Sequence, residues 1–186
     1  MRAGLFTLCL SIGLLFFSGG EVAAAGTPAP RNQLIAVVFM GSFEFQHPDY
    51  YKIMTDKLEK RFPVPAYKLV IGESPSNMFT RFCDKNGIFP EKDAKDSDFI
   101  KFAYENTFSQ VLFIIVHPLK VRADDITVIL EKPHTRLEGR AVLIDSRLRK
   151  KISDLPRIEV TADYGDRDFE KAQVLERLMD AIREKI

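Results

Sequence analysis

The sequence is poor in the features that most readily announce a function. Only two of its 186 residues are cysteine, Cys9 and Cys83. That excludes a disulfide-dense scaffold and a cysteine-rich zinc domain. Charge of one sign is missing too. Lys+Arg number 27 and Asp+Glu 26, a net charge of +1, so no bulk field draws the chain to nucleic acid. There is no GxGxxG, GxxxxGK[ST] or GxSxG motif, hence no phosphate cradle or nucleophile elbow to assign. No apolar run reaches the 18 residues that a membrane-crossing helix needs. No internal repeat and no low-complexity tract interrupts the chain.

What is present begins with a leader. Arg2 gives a positive start, and a mostly apolar run from Leu5 to Phe17 follows. The small residues Val22-Ala23-Ala24-Ala25 then offer a cleavage site before Gly26, or one residue earlier. Residues 1–25 are therefore expected to be a signal peptide, residues 26–33 a linker containing Thr27-Pro28-Ala29-Pro30, and residues 34–186 a single domain. Cleavage removes Arg2, Glu21 and Cys9, leaving the net charge at +1 and Cys83 as the one thiol. The run is too short for a comfortable anchor, and Cys9 lies inside it rather than after it, so lipidation is not expected. The mature chain should be periplasmic or secreted, with its stability coming from a hydrophobic core. A hydrophobic content of 46% suffices for one.

Two segments, Leu34 to Met40 and Val111 to Val116, are apolar throughout, as in strands covered on both faces. Between them, Pro48 to about Arg61 predicts a helix with Tyr51, Met54, Leu58 and Phe62 on one face. Tyr67 to Ile71 predicts a strand. Ser74-Pro75 and Asn86-Gly87 bracket a second helix, and Ser97 or Asp98 caps a third. The pattern then changes: Ile126 to Glu131, Leu137 to Asp145 and Arg157 to Ala162 read as three strands without helices between them. Asp166 to Ile186 is the cleanest amphipathic helix, with Phe169, Ala172, Leu175, Leu178, Met179, Ile182 and Ile186 on its apolar face. The expected fold is α/β, bordering on α+β: a mixed sheet of about six strands, parallel in its first half and an antiparallel meander in its second, with helices packed on it.

The leader, the apolar first strand, the helix before VLFIIV, the strand-turn-strand GRAVLIDSRLRKKISDLPRIEV and the C-terminal helix resemble a known layout. It is that of the small envelope α/β domains typified by the Tol-Pal propeller protein's N-terminal domain and the curli-secretion lipoprotein. The local likeness lies in the Asp-containing turn Leu143-Ile144-Asp145-Ser146. The chain departs from that layout in lacking a lipidation Cys and a propeller. The resemblance implies partner binding and assembly at the bacterial cell envelope, without catalysis; no cofactor is expected.

Three groups of residues are candidates for function. His47-Pro48 and His117-Pro118 follow the two apolar strands. If those strands are parallel, both histidines lie at one carboxyl edge, where open α/β sheets bind ligands. With Asp49 beside His47 they suggest the alternative of a metal-binding protein or hydrolase, although no ligand spacing supports it. Arg147, Arg149, Lys150 and Lys151 form a basic turn, suited to an acidic envelope protein or an anionic membrane surface. The plainer reading is a solvated hairpin tip whose cations discourage edge pairing. Phe43, Phe45, Tyr50 and Tyr51 are either a recognition surface or core. Cys83 beside Phe82 is expected to be a buried, inert thiol.

Overall fold

A computed structural model describes residues 32–41, 43–117, 120–121, 135–162 and 167–186. The leader, most of the linker and the expected strand at 126–131 lie outside them. Strand β1 (Gln33–Met40) leads to helix α1 (Pro48–Leu58), strand β2 (Tyr67–Val70) and helices α2 (Glu73–Asn86) and α3 (Asp96–Glu105). Strand β3 (Gln110–Val116), the two-residue β4 (Lys120–Val121), β5 (Thr135–Asp145), β6 (Lys150–Thr161) and helix α4 (Arg167–Lys185) complete the chain.

β1 is parallel to β2 and β3, and β5 is antiparallel to β3 and β6. β4 pairs antiparallel with Thr135 and Arg136 of β5, while β3 pairs with Gly139 to Asp145 farther along the same strand. β4 thus continues the β3 side of β5 and adds no lateral position. Among the described residues the sheet contains six strands, five of them side by side in the order β2-β1-β3-β5-β6 with β4 beyond the end of β3 on the same edge of β5, so its width is slightly less than the six positions expected. The parallel first half and antiparallel second half are as expected.

Both apolar strands are apolar because each face of the sheet carries a helical layer. Ile35, Val37, Phe39, Leu112, Ile114 and Val116 face α1 and α4. The alternating residues Ala36, Val38, Met40, Val111, Phe113 and Ile115 face α2 and α3. The result is three layers with a core on each side of the sheet. Phe79, Phe99, Phe102 and Phe113 fill the second core, with Phe99 stacked on Phe113 at 4.3 Å between centroids. On the first side Lys57 of α1 clasps α4 through Asp180 at 2.7 Å.

Several element ends lie slightly displaced from where the local sequence places them. Gly87 ends α2 in the left-handed region, φ +69°, as a C-terminal glycine should. The start of α2 is different: Glu73 is already helical and Gly72 is the N-cap, so the helix begins one residue before the expected Ser74-Pro75 start. α3 begins at Asp96, where Asp98 accepts the Lys95 N–H at 2.8 Å. Phe45 is fully buried against Phe39 and Tyr50, and Tyr50 and Tyr51 pack on the core. Phe45 belongs to the interior, while Tyr50 and Tyr51 are half-buried against it; the Phe43 side chain lies outside the description. On α4 the expected apolar face is present, but Phe169 is half exposed while Val174, not expected there, is fully buried.

Candidate functional site

The two ends of the sheet present different chemistry. At the carboxyl end of β1 and β3, His47 is exposed and serves as the N-cap of α1: its Nδ1 accepts the Asp49 N–H at 3.4 Å and lies 3.3 Å from Asp49 Oδ2. A histidine can fill the capping role usually taken by Ser, Thr, Asp or Asn because its ring nitrogen offers a lone pair at similar reach. His117 is also exposed, and its backbone N–H donates to the Glu138 carbonyl at 2.9 Å. Among the described residues no three His, Cys, Asp or Glu side chains stand close enough together to hold a metal ion.

The cleft at this end is elsewhere. It has about 440 Å³ and is lined by Met40, Gln46, Ser76, Thr80, Glu91 and Lys92 among others, with neither histidine in its wall. Ser76 is already engaged: its Oγ accepts from Phe39 N and donates to Phe39 O, both at 3.2 Å. It thereby satisfies the part of β1 that extends past the end of the shorter β2. Cys83 is buried, and burial above all pushes its thiol up to about 12, far from a reactive thiolate.

The amino end of the sheet holds the basic turn. Ser146 to Arg149 connect β5 to β6, and Asp145 Oδ1 accepts the Leu148 N–H, three residues on, at 2.8 Å, a local side-chain bond that fixes the bend. Arg149 sits in the left-handed region with φ 49°, and its guanidinium lies 3.4 Å from the centroid of the Tyr104 ring. The four cations do not form one surface. β6 starts at Lys150 rather than near Arg157, so Lys150 and Lys151 are strand residues. Lys151 Nζ reaches Asp96 and Asp154, each at 2.6 Å, and the same two carboxylates pair with Arg140 at 2.8 and 2.9 Å. Lys151 is therefore a structural cation that ties α3 to β6. Arg147 and Lys150 are exposed and make no ion pair among the described residues. The half-exposed Tyr104 and Leu148, 53% and 62% exposed, stand beside them.

The four-membered network has a pH signature. Hydrogen bonding from Lys151 holds the Asp96 carboxyl below its ordinary value, and hydrogen bonding from Arg140 does the same for Asp154. A lowered carboxylate pKa adds stability that is present above the unfolded value of about 3.9 and is lost as pH falls through the folded value. The denaturant midpoint should be level above about pH 5 and decline through pH 4 and below. In Asp154→Asn the decline should be shallower. An equally steep decline in that variant would place the acid sensitivity elsewhere.

A second feature of this end is where the chain arrives. Ser109 N donates to the Leu34 carbonyl at 2.8 Å, and Ser146 N donates to the Ser109 carbonyl at 3.1 Å. The Leu34 N–H in turn donates to Ser109 Oγ at 3.3 Å. One residue, Ser109, thus joins the start of β1 to the start of the basic turn. The start of β1 and the free cations share one end of the sheet. Sequence reading picked out the cations but not this juxtaposition, which depends on strand order.

No known protein family and no curated protein matches the chain. Solved structures of similar layout exist. Lipoprotein GNA1162 from Neisseria meningitidis matches at 18% identity over 82% of this chain and 96% of that one, with a TM-score of 0.40. PelC from Paraburkholderia phytofirmans, described as a dodecamer, matches at 8% over 83% and 89%, TM-score 0.44. The C-terminal domain of LpoB from Salmonella enterica matches at 14% over 74% and 87%, TM-score 0.33. A bacterial lipoprotein is thus among the neighbours, whereas none of these three is described as a Tol-Pal or curli-secretion domain. Among the described residues no helix is long and apolar enough to cross a membrane.

Proposed function

We propose that this chain is an exported, non-enzymatic α/β domain that binds or assembles at the bacterial cell envelope, using the amino end of its sheet as the contact face. The observation that carries this reading is the shared end just described: the free cations Arg147 and Lys150 stand beside the point where the chain arrives from its leader. Seven residues, 26–32, separate the expected cleavage site from β1. Fully extended they span roughly 25 Å, so during export this end is the one held nearest the membrane. The paired acids Asp96 and Asp154 fix the base of the turn and leave its tip cationic.

The export part of the reading is tested by mass. Protein recovered from the periplasmic fraction should begin at Gly26, or at Ala25 if the earlier site is used. An intact mass that retains Met1 in a purely cytoplasmic fraction would remove the basis for an envelope role.

A further inference from the structure

We infer that the cleft beside the basic turn is a site for the headgroup of an anionic phospholipid; this rests on the envelope reading above and names the ligand at its contact face. The cleft has about 280 Å³ and is lined by Tyr104, Thr107, Phe108, Ser109, Ser146 and Arg147 among others. That volume is at the small end for ligand sites and fits a phosphate with its glycerol better than a drug-sized molecule.

Its chemistry is that of phosphate recognition. Arg147 supplies a guanidinium fork with no carboxylate partner among the described residues, and such forks match phosphate oxygens bidentately. Thr107 is an exposed hydroxyl in the same wall. Ser146 provides an independent pointer. It is only 6% exposed, and its Oγ has no hydrogen-bond partner among the described residues. A buried hydroxyl without a partner is a cost that folding alone does not explain. Rotation about its first side-chain torsion is the ordinary means by which a serine hydroxyl changes partner. The Oγ is itself buried, so it would meet a phosphate oxygen in the cleft only after such a rotation.

The surroundings distinguish a lipid from a free anion. Leu148 and Tyr104 expose apolar surface next to Arg147, Arg149 and Lys150. Against these three cations the turn sets one acid, Asp145, whose Oδ1 is occupied by the Leu148 N–H. An apolar side chain between cations is the pattern that enters the headgroup layer of an anionic membrane. A soluble phosphate would make no use of Leu148.

The test is flotation of the exported protein with vesicles of phosphatidylglycerol in phosphatidylcholine, against pure phosphatidylcholine. Binding is expected to the first only and to weaken as salt rises. Arg147→Gln should lower it about fivefold. Ser146→Ala should lower it too, while leaving the melting curve unchanged or raised, since the lost hydroxyl has no partner. Leu148→Ser should weaken vesicle binding without altering the response to inorganic phosphate. Free phosphate should compete weakly. Equal losses for Arg147→Gln and Lys150→Gln, with none for Ser146→Ala, would mean a diffuse cationic surface and overturn the site. So would competition by free phosphate as strong as by lipid, or no wild-type flotation at all. None of these three outcomes touches the envelope reading, which fails on localisation or on contacts made in cells.

Discussion

Replacing Leu178 with alanine is expected to destabilise the protein by about 2–5 kcal/mol, the range for a fully buried leucine. The expectation follows from position. Leu178 has no exposed surface and lies on α4 over β5, in the core with Leu175, Met179 and Ile182. Its terminal methyl would stand 3.4 Å from a Cβ on Gly139, so the helix rests on a strand position that has no side chain. The truncated leucine would leave a cavity that the strand cannot fill. For a domain of this size each kcal/mol lowers the melting temperature by about 2–4 °C, so the loss should be roughly 4–20 °C. The half-exposed Phe169 on the same helix is the control, with a smaller loss on change to alanine. A Leu178→Ala loss below about 0.5 kcal/mol would make α4 a detachable tail instead of one of the layers.

The second large effect is expected from a residue with no side chain. Gly41 ends β1 at φ +107°, and a Cβ there would stand 1.8 Å from the Val116 carbonyl oxygen. The Val116 atoms it would meet are backbone and a Cβ is fixed to its own Cα, so neither can swing aside. Gly41→Ala is expected to cost about 2–4 kcal/mol, combining an unfavourable conformation with the displacement of β3's end. Gly72 separates the two causes. Its φ is +130°, yet nothing lies within 4 Å of its notional Cβ. Gly72→Ala should therefore show conformational strain alone, about 1–3 kcal/mol. Equal losses at both positions, read from denaturant midpoints at constant m-value, would show that the approach to Val116 relaxes without cost.

Much of this architecture is legible in the sequence, where local pattern and final environment agree. LIAVVFM and VLFIIV are continuous apolar runs because α1 and α4 cover one face and α2 and α3 the other. The rhythm of α4 is legible because one side packs on β5, β6 and α1. What is not legible depends on partners distant in sequence. Arg140 and Lys151 find Asp96 from 44 and 55 residues away, so no local reading separates Lys151 from the free cations around it. Phe45 reads as a loop aromatic until the fold brings it between Phe39 and Tyr50. The strand order that puts Ser109 between Leu34 and Ser146 is likewise tertiary information. His47 is a different case. Its cap role is local, and His followed by Pro at the first helical position was a signal open to reading.

The central claim is that the amino end of the sheet faces the envelope and the carboxyl end does not. Site-resolved photo-cross-linking in cells tests it most directly, with the probe placed at Leu148 in one variant and at Thr80, in the wall of the opposite cleft, in another. The account predicts cross-links to membrane lipid or an envelope protein from position 148, lost when Arg147 and Lys150 are changed to serine, and none from position 80. Strong cross-links from position 80 with none from position 148 would contradict it and move the functional site to the end that carries His47 and His117.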